Sequence, residues 1–188
     1  MKQLVVLAGL AVFLLGIAGC GRQEALHKVW DGEPPDEEAL PEFLVGVWEV
    51  KTGQYKDKWG IKFEPDGSIL KIIYEAKGPV YLAEGESYGE AGDEGAYYLF
   101  TVGPCEARYA PETRILKVKI VMEHMLQLSF GELEGGIEDY FEGTVSEDGK
   151  TWEAKWSHYL WFEEEGIPEP NVIEAEPIPL VFTKTDIE

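Results

Sequence analysis

Ile137-Glu138-Asp139-Tyr140-Phe141-Glu142-Gly143-Thr144-Val145, Ser146-Glu147-Asp148-Gly149-Lys150 and Thr151-Trp152-Glu153-Ala154-Lys155-Trp156-Ser157-His158-Tyr159-Leu160-Trp161-Phe162 form one continuous stretch, and its reading decides the fold. Side chains of an extended chain alternate between two faces. Trp152, Ala154, Trp156, His158, Leu160 and Phe162 therefore share one face of the second run. Ile137, Asp139, Phe141, Gly143 and Val145 share one face of the first. Asp-Gly between two alternating runs is a strong hairpin signal, because both residues tolerate the left-handed backbone of a tight turn.

The same period of two recurs in both directions along the chain. Leu44, Gly46, Trp48 and Val50 alternate with Val45, Val47, Glu49 and Lys51. Trp59, Ile61 and Phe63 lead into the turn Glu64-Pro65-Asp66-Gly67, and Ile69 to Tyr74 runs back. Val80 to Leu82 is a short strand, and Glu84 to Gly95 reads as a glycine-rich acidic loop. Tyr97 to Val102 and Ala107 to Tyr109 are further strands on either side of Gly103-Pro104-Cys105. Leu116, Val118, Ile120 and Met122 alternate with lysines, and Leu126, Leu128 and Phe130 continue the alternation beyond an expected turn at Glu123-His124. An acidic, proline-rich loop spans Glu163 to Pro179, before a closing strand from Leu180 to Thr185. After residue 20 no stretch sustains a helical period. An all-β antiparallel meander of roughly eight to ten strands follows, either a sandwich or an up-and-down barrel. Closure into a barrel removes the exposed edges of a meander, and the last strand would then pair with the first.

The chain of 188 residues carries 36 acidic and 16 basic side chains, a formal net charge of −20. That balance argues against nucleic acid as a partner, since phosphates need a basic surface. The two cysteines, Cys20 and Cys105, make no disulfide framework if the first is otherwise engaged. Cys105, with no base motif beside it, reads as a packed thiol. His27, His124 and His158 are too far apart for ligand spacing, so no metal site is expected. Calcium would suit the acids of the 84 to 95 loop, but their spacing is not that of an EF-hand, and a solvated acidic loop is the plainer reading. Glu138 and Asp139 point to opposite faces of one strand and cannot act as a pair on one sugar ring. No serine stands in a nucleophile elbow. No catalytic residue and no cofactor is expected; the sequence does not call for an enzyme.

The first twenty residues have a different plan. Lys2 supplies a positive charge, Leu4 to Ile17 is apolar, and Ala18-Gly19 precedes Cys20. Charge, apolar core and small residues are the parts of a secretory signal peptide, and the apolar run is shorter than the ~20 residues of a membrane-spanning helix. Ile17-Ala18-Gly19-Cys20 resembles the lipobox of bacterial lipoproteins. The resemblance implies cleavage after residue 19 and lipidation of Cys20, so that acyl chains hold the protein on a membrane of the cell envelope. Gly21, rather than aspartate, follows the cysteine; in this family that implies the outer membrane if the host is Gram-negative. Residues 20–42, with Pro34, Pro35 and Pro41 around Asp36-Glu37-Glu38, read as a tether. A flexible chain of that length reaches about 25 Å, and prolines and charges extend it. Residues 43–188 are then the folded domain.

Gly46-Val47-Trp48 on the first strand resembles the Gly-X-Trp signature of lipocalins, whose tryptophan plugs one end of the barrel. The resemblance covers the pattern of residues 43 to 185. It implies a barrel that holds a small apolar or lipid-like ligand, with Gly46 and Trp48 structural. The family's arginine on the final strand is absent, and Lys184 is the residue left to cover Trp48. With the aromatic face turned inward, the candidate ligand-binding residues are Trp48, Phe141, Trp152, Trp156, His158 and Leu160, with Asp139 a further polar group on the neighbouring strand. An aromatic lining with a few polar contacts suits an apolar molecule. A barrel filled by its own side chains, with His158 hydrogen-bonded in the core, is the other reading of the same face. In that case the protein would be a non-enzymatic envelope module that meets a protein partner through the acidic loops 84 to 95 and 163 to 179.

Overall fold

Two hairpin turns with the same chemistry set the register. In the computed structural model, which describes residues 40–56, 58–91, 97–127, 134–162, 171–174 and 176–185, Asp148 Oδ1 accepts hydrogen bonds from Ser146 Oγ (2.6 Å) and Lys150 N (3.1 Å). Gly149 supplies the left-handed residue at φ 68°. The other turn repeats this: Asp66 Oδ1 accepts from Ser68 Oγ at 2.7 Å and Ser68 N at 3.0 Å, with Gly67 at φ 88°. These donors hold the Asp148 and Asp66 carboxyls below their ordinary range.

The strands are β1 (Gly46–Val50), β2 (Gly60–Phe63), β3 (Ile69–Glu75), β4 (Gly78–Leu82), β5 (Ser87–Ala91), β6 (Tyr97–Ala110), β7 (Ile115–Gln127), β8 (Glu134–Val145), β9 (Thr151–Phe162), β10 (Asn171–Glu174) and β11 (Ile178–Thr185). All pairings are antiparallel, and the hydrogen-bonded order is β4-β3-β2-β1-β11-β9-β8-β7-β6-β5, with β10 also on β9. The result is an up-and-down meander forming a nearly closed barrel. First and last strands pair as expected, with Trp48 opposite Lys184 and Val50 opposite Phe182. At the other seam the chain passes from one edge to the next: β4 pairs with β3, and β5, just beyond it, pairs with β6. Gly85 N to Val102 O (2.7 Å) and Val102 N to Glu86 O (2.9 Å) tie that crossing to β6. Contacts divide the chain after Glu37, so the unit Glu38–Glu188 contains every described strand and the whole core.

Four local expectations are revised. Ser87–Ala91, expected in a loop, is strand β5, because backbone pairing with β6 does not depend on apolar alternation. The two short strands around Gly103-Pro104 are one strand of 14 residues; a register shift between Val102 and Cys105 absorbs the proline, which has no N–H to give. No turn occurs at Glu123-His124, since β7 runs on to Gln127 through an irregularity between Met122 and Met125. The loop before the last strand is shorter than expected, as β10 and the start of β11 occupy 171–174 and 178–179 on the free side of β9. Residues 92–96, Leu128, Phe130 and 163–170 lie outside the described residues, as do Cys20 and the tether as far as residue 39.

The core lies inside the barrel and is densest at one end. A 3-10 turn, Glu42–Leu44, folds over that end with Leu44 fully buried. Trp48, Phe63, Phe141, Trp152 and Phe182 are all at 0% exposure. The Trp152 and Phe182 rings, directly opposite in register, stack at 4.8 Å. Outside, lysines 117 and 119 pair across the strands with Glu142 (3.1 Å) and Glu138 (3.5 Å). Such surface pairs each contribute no more than about 1 kcal/mol.

Candidate functional site

Burial along β9 separates a sealed floor from an open half. On its inward face Trp152 and Ala154 are 0% and 3% exposed, whereas Trp156, His158 and Leu160 are only partly buried. The side chain of Phe162, next on that face, lies outside the described residues. From the open half an aromatic row runs down to the floor. Tyr55 meets Trp156 at 5.4 Å between ring centroids, Trp156 meets Trp59 at 5.1 Å, and Trp59 meets Phe141 at 4.9 Å. Phe141 then contacts Phe182 at 5.7 Å and Trp152 at 6.1 Å. Most of these contacts are edge-to-face, each worth about 0.5–1.5 kcal/mol beyond the burial of area.

Into this lining the register brings one row of polar groups. Cys105 on β6 lies opposite Ile120 on β7, Ile120 opposite Asp139 on β8, and Asp139 opposite His158 on β9. Asp139 has no exposed surface. Its Oδ1 accepts from Trp156 Nε1 at 2.7 Å and pairs with His158 Nδ1 at 2.9 Å. Its Oδ2 is buried and has no partner among the described residues. A carboxylate oxygen left so is costly, on the order of 1–3 kcal/mol or more.

The second buried charge is Lys71 on β3, 5% exposed, on the inward face because its register partner is Ile61. Its Nζ stands 4.0 Å from the centroid of the Trp59 ring, a cation–π contact worth about 2 kcal/mol when desolvated. Burial pulls the amine below its usual value, and the nearby charge of Asp139 opposes that. Burial likewise pushes the Cys105 thiol up to about 11, so it stays protonated. Lys71, Trp59 and Tyr55 were not singled out in the sequence. A lysine in phase with Ile69 inside an apolar run was the available signal for the first of them.

The residues read as structural sit together at the sealed end. Gly46 has φ 127°, and a Cβ there would stand 3.1 Å from Lys184 Cε. Lys184 Nζ donates to the Phe43 carbonyl at 2.7 Å, and Trp48 Nε1 donates to the Leu44 carbonyl at 2.8 Å. Trp48, Trp152 and Phe141 thus belong to the floor, while Trp156, His158 and Leu160 line the open half. Glu138 points outward to Lys119 as Asp139 points in. Among the described residues no three His, Cys, Asp or Glu side chains converge as metal ligands, and no helix is long and apolar enough to cross a membrane.

Fold and interior together define a nearly closed antiparallel β-barrel, consistent with a lipocalin-like fold, with one end filled and a buried polar row in the other half. No family model, no curated protein and no solved structure matches the chain.

Proposed function

We propose that the protein is a cell-envelope lipoprotein, anchored through lipid on Cys20, whose barrel binds a small apolar or lipid-like molecule in its open half. The observation that carries the binding claim is the change along β9 from sealed to partly exposed while the lining stays aromatic around Trp59 and Trp156. A barrel built only to be filled would bury that half as it buries the floor. Ligand pockets have this make-up: mostly apolar walls and a few polar groups that fix orientation. No residue is assigned a catalytic role. The anchor reading rests on the lipobox-like Ile17-Ala18-Gly19-Cys20, and Gly21 after it favours the outer membrane if the host is Gram-negative.

Native mass spectrometry of the unit Glu38–Glu188, purified from a lipid-rich extract, tests the binding. A discrete added mass is expected, lost in Trp156→Ala while the far-ultraviolet spectrum stays that of the barrel. A bare mass under conditions that preserve weak complexes would overturn the binding claim and leave the filled module with a protein partner. For the anchor, the full chain expressed in a bacterium should move from the membrane fraction to the soluble fraction when Cys20→Ser is introduced after an alternative cleavable leader. Continued sedimentation with membranes would remove the lipid from the account.

A further inference from the structure

We infer that the molecule bound in the open half carries a neutral polar head with both a hydrogen-bond donor and an acceptor, such as a primary amide, and not a carboxylate or an ammonium. This rests on the binding reading above and names the chemistry of the same site.

Four observations support it. Asp139 is wholly buried, its Oδ1 is saturated by Trp156 and His158, and its Oδ2 has no donor among the described residues. An acceptor in that state is completed by a donor from the occupant. Lys71 is the opposite case: a buried amine lying on the Trp59 face, with no hydrogen-bond acceptor among the described residues. The two groups are joined through touching rings, since Trp59 packs on Trp156 and Trp156 donates to Asp139. One basic and one acidic side chain are already buried in the site. A charged head would add a further charge to a desolvated site and leave it unpaired, whereas a neutral head offering N–H to Oδ2 and C=O to Nζ adds none. The aromatic row from Tyr55 to Phe141 then receives an apolar tail.

Three ten-carbon probes separate the possibilities: decanamide, decanoate and decylammonium, titrated into the unit Glu38–Glu188 at neutral pH and followed by native mass spectrometry and tryptophan fluorescence. The amide should bind at least about tenfold more tightly than either ion. Asp139→Asn removes the acidic side chain and leaves Lys71, which should turn the preference toward decanoate. Lys71→Met leaves Asp139 and should turn it toward decylammonium. A wild-type barrel that prefers either ion, or that does not discriminate, overturns the head-group assignment but leaves the barrel a binder. Variants that fold and keep the wild-type order overturn it as well. A wild-type barrel that takes none of the three overturns this inference and the binding reading together. The wild-type ranking stands whether or not a variant folds.

Discussion

Replacing Trp48 by alanine should lower the unfolding free energy by about 3–5 kcal/mol, among the largest losses of any single side chain here. The indole is at 0% exposure under Leu44, in a floor shared with Phe63, Phe182 and Trp152. Removing it forfeits the transfer energy of a large ring and leaves a cavity between strands whose registers are fixed on both sides, with Ile61 on one and Lys184 on the other. The Leu44 carbonyl would also lose the indole N–H, its 2.8 Å partner. Chemical denaturation followed by circular dichroism measures the loss. A decrease below about 1 kcal/mol would mean that the floor collapses freely around the gap and that the tryptophan is no plug.

Gly143→Ala should cost about 3 kcal/mol or more, at the upper end of what added core volume does. A Cβ at residue 143 would collide with the backbone of β9, at the Glu153 carbonyl, with Ala154 Cα 2.6 Å away. Backbone atoms cannot rotate aside as a side chain can, and β9 is itself held by β11. Between β8 and β9 the smallest residues face each other, Gly143 opposite Ala154. Thr144→Ala, one residue on and exposed, should shift stability by no more than about 0.5 kcal/mol. Equal effects of the two substitutions would show that β9 can move away, and that the close approach is not required.

How much of this could be read beforehand depends on where the information lies. Asp148-Gly149 and Asp66-Gly67 were legible as hairpin turns because the side chain that caps the turn and the glycine that bends it are neighbours in sequence. The inward face of β9 was legible for the same local reason, its period of two. Expectation failed where tertiary pairing overrode local signals. Pro104 sits within a strand because a bulge removes the need for its N–H, and Ser87–Ala91 is a strand because β6 offers it a ladder. Within the site, Asp139 and His158 could be placed together from hairpin register alone, since two residues of adjacent strands are related by one turn. Lys71 could not. It reaches the site across the barrel from β3, and only closure of the sheet shows what stands over its amine.

Pairing of the first strand with the last has a consequence for how the molecule is made. Thr185 Oγ1 reaches the Val47 carbonyl across a separation of 138 residues, and β1, with the part of β9 that β10 does not pair, keeps one edge bare until β11 arrives. Contacts between such distant segments put folding in the slow, millisecond-to-second class. A chain growing from its N-terminus therefore exhibits templating edges on β1 and β9 until β11 is made and covers them. Strand β11 is the timer of this barrel as well as one of its staves.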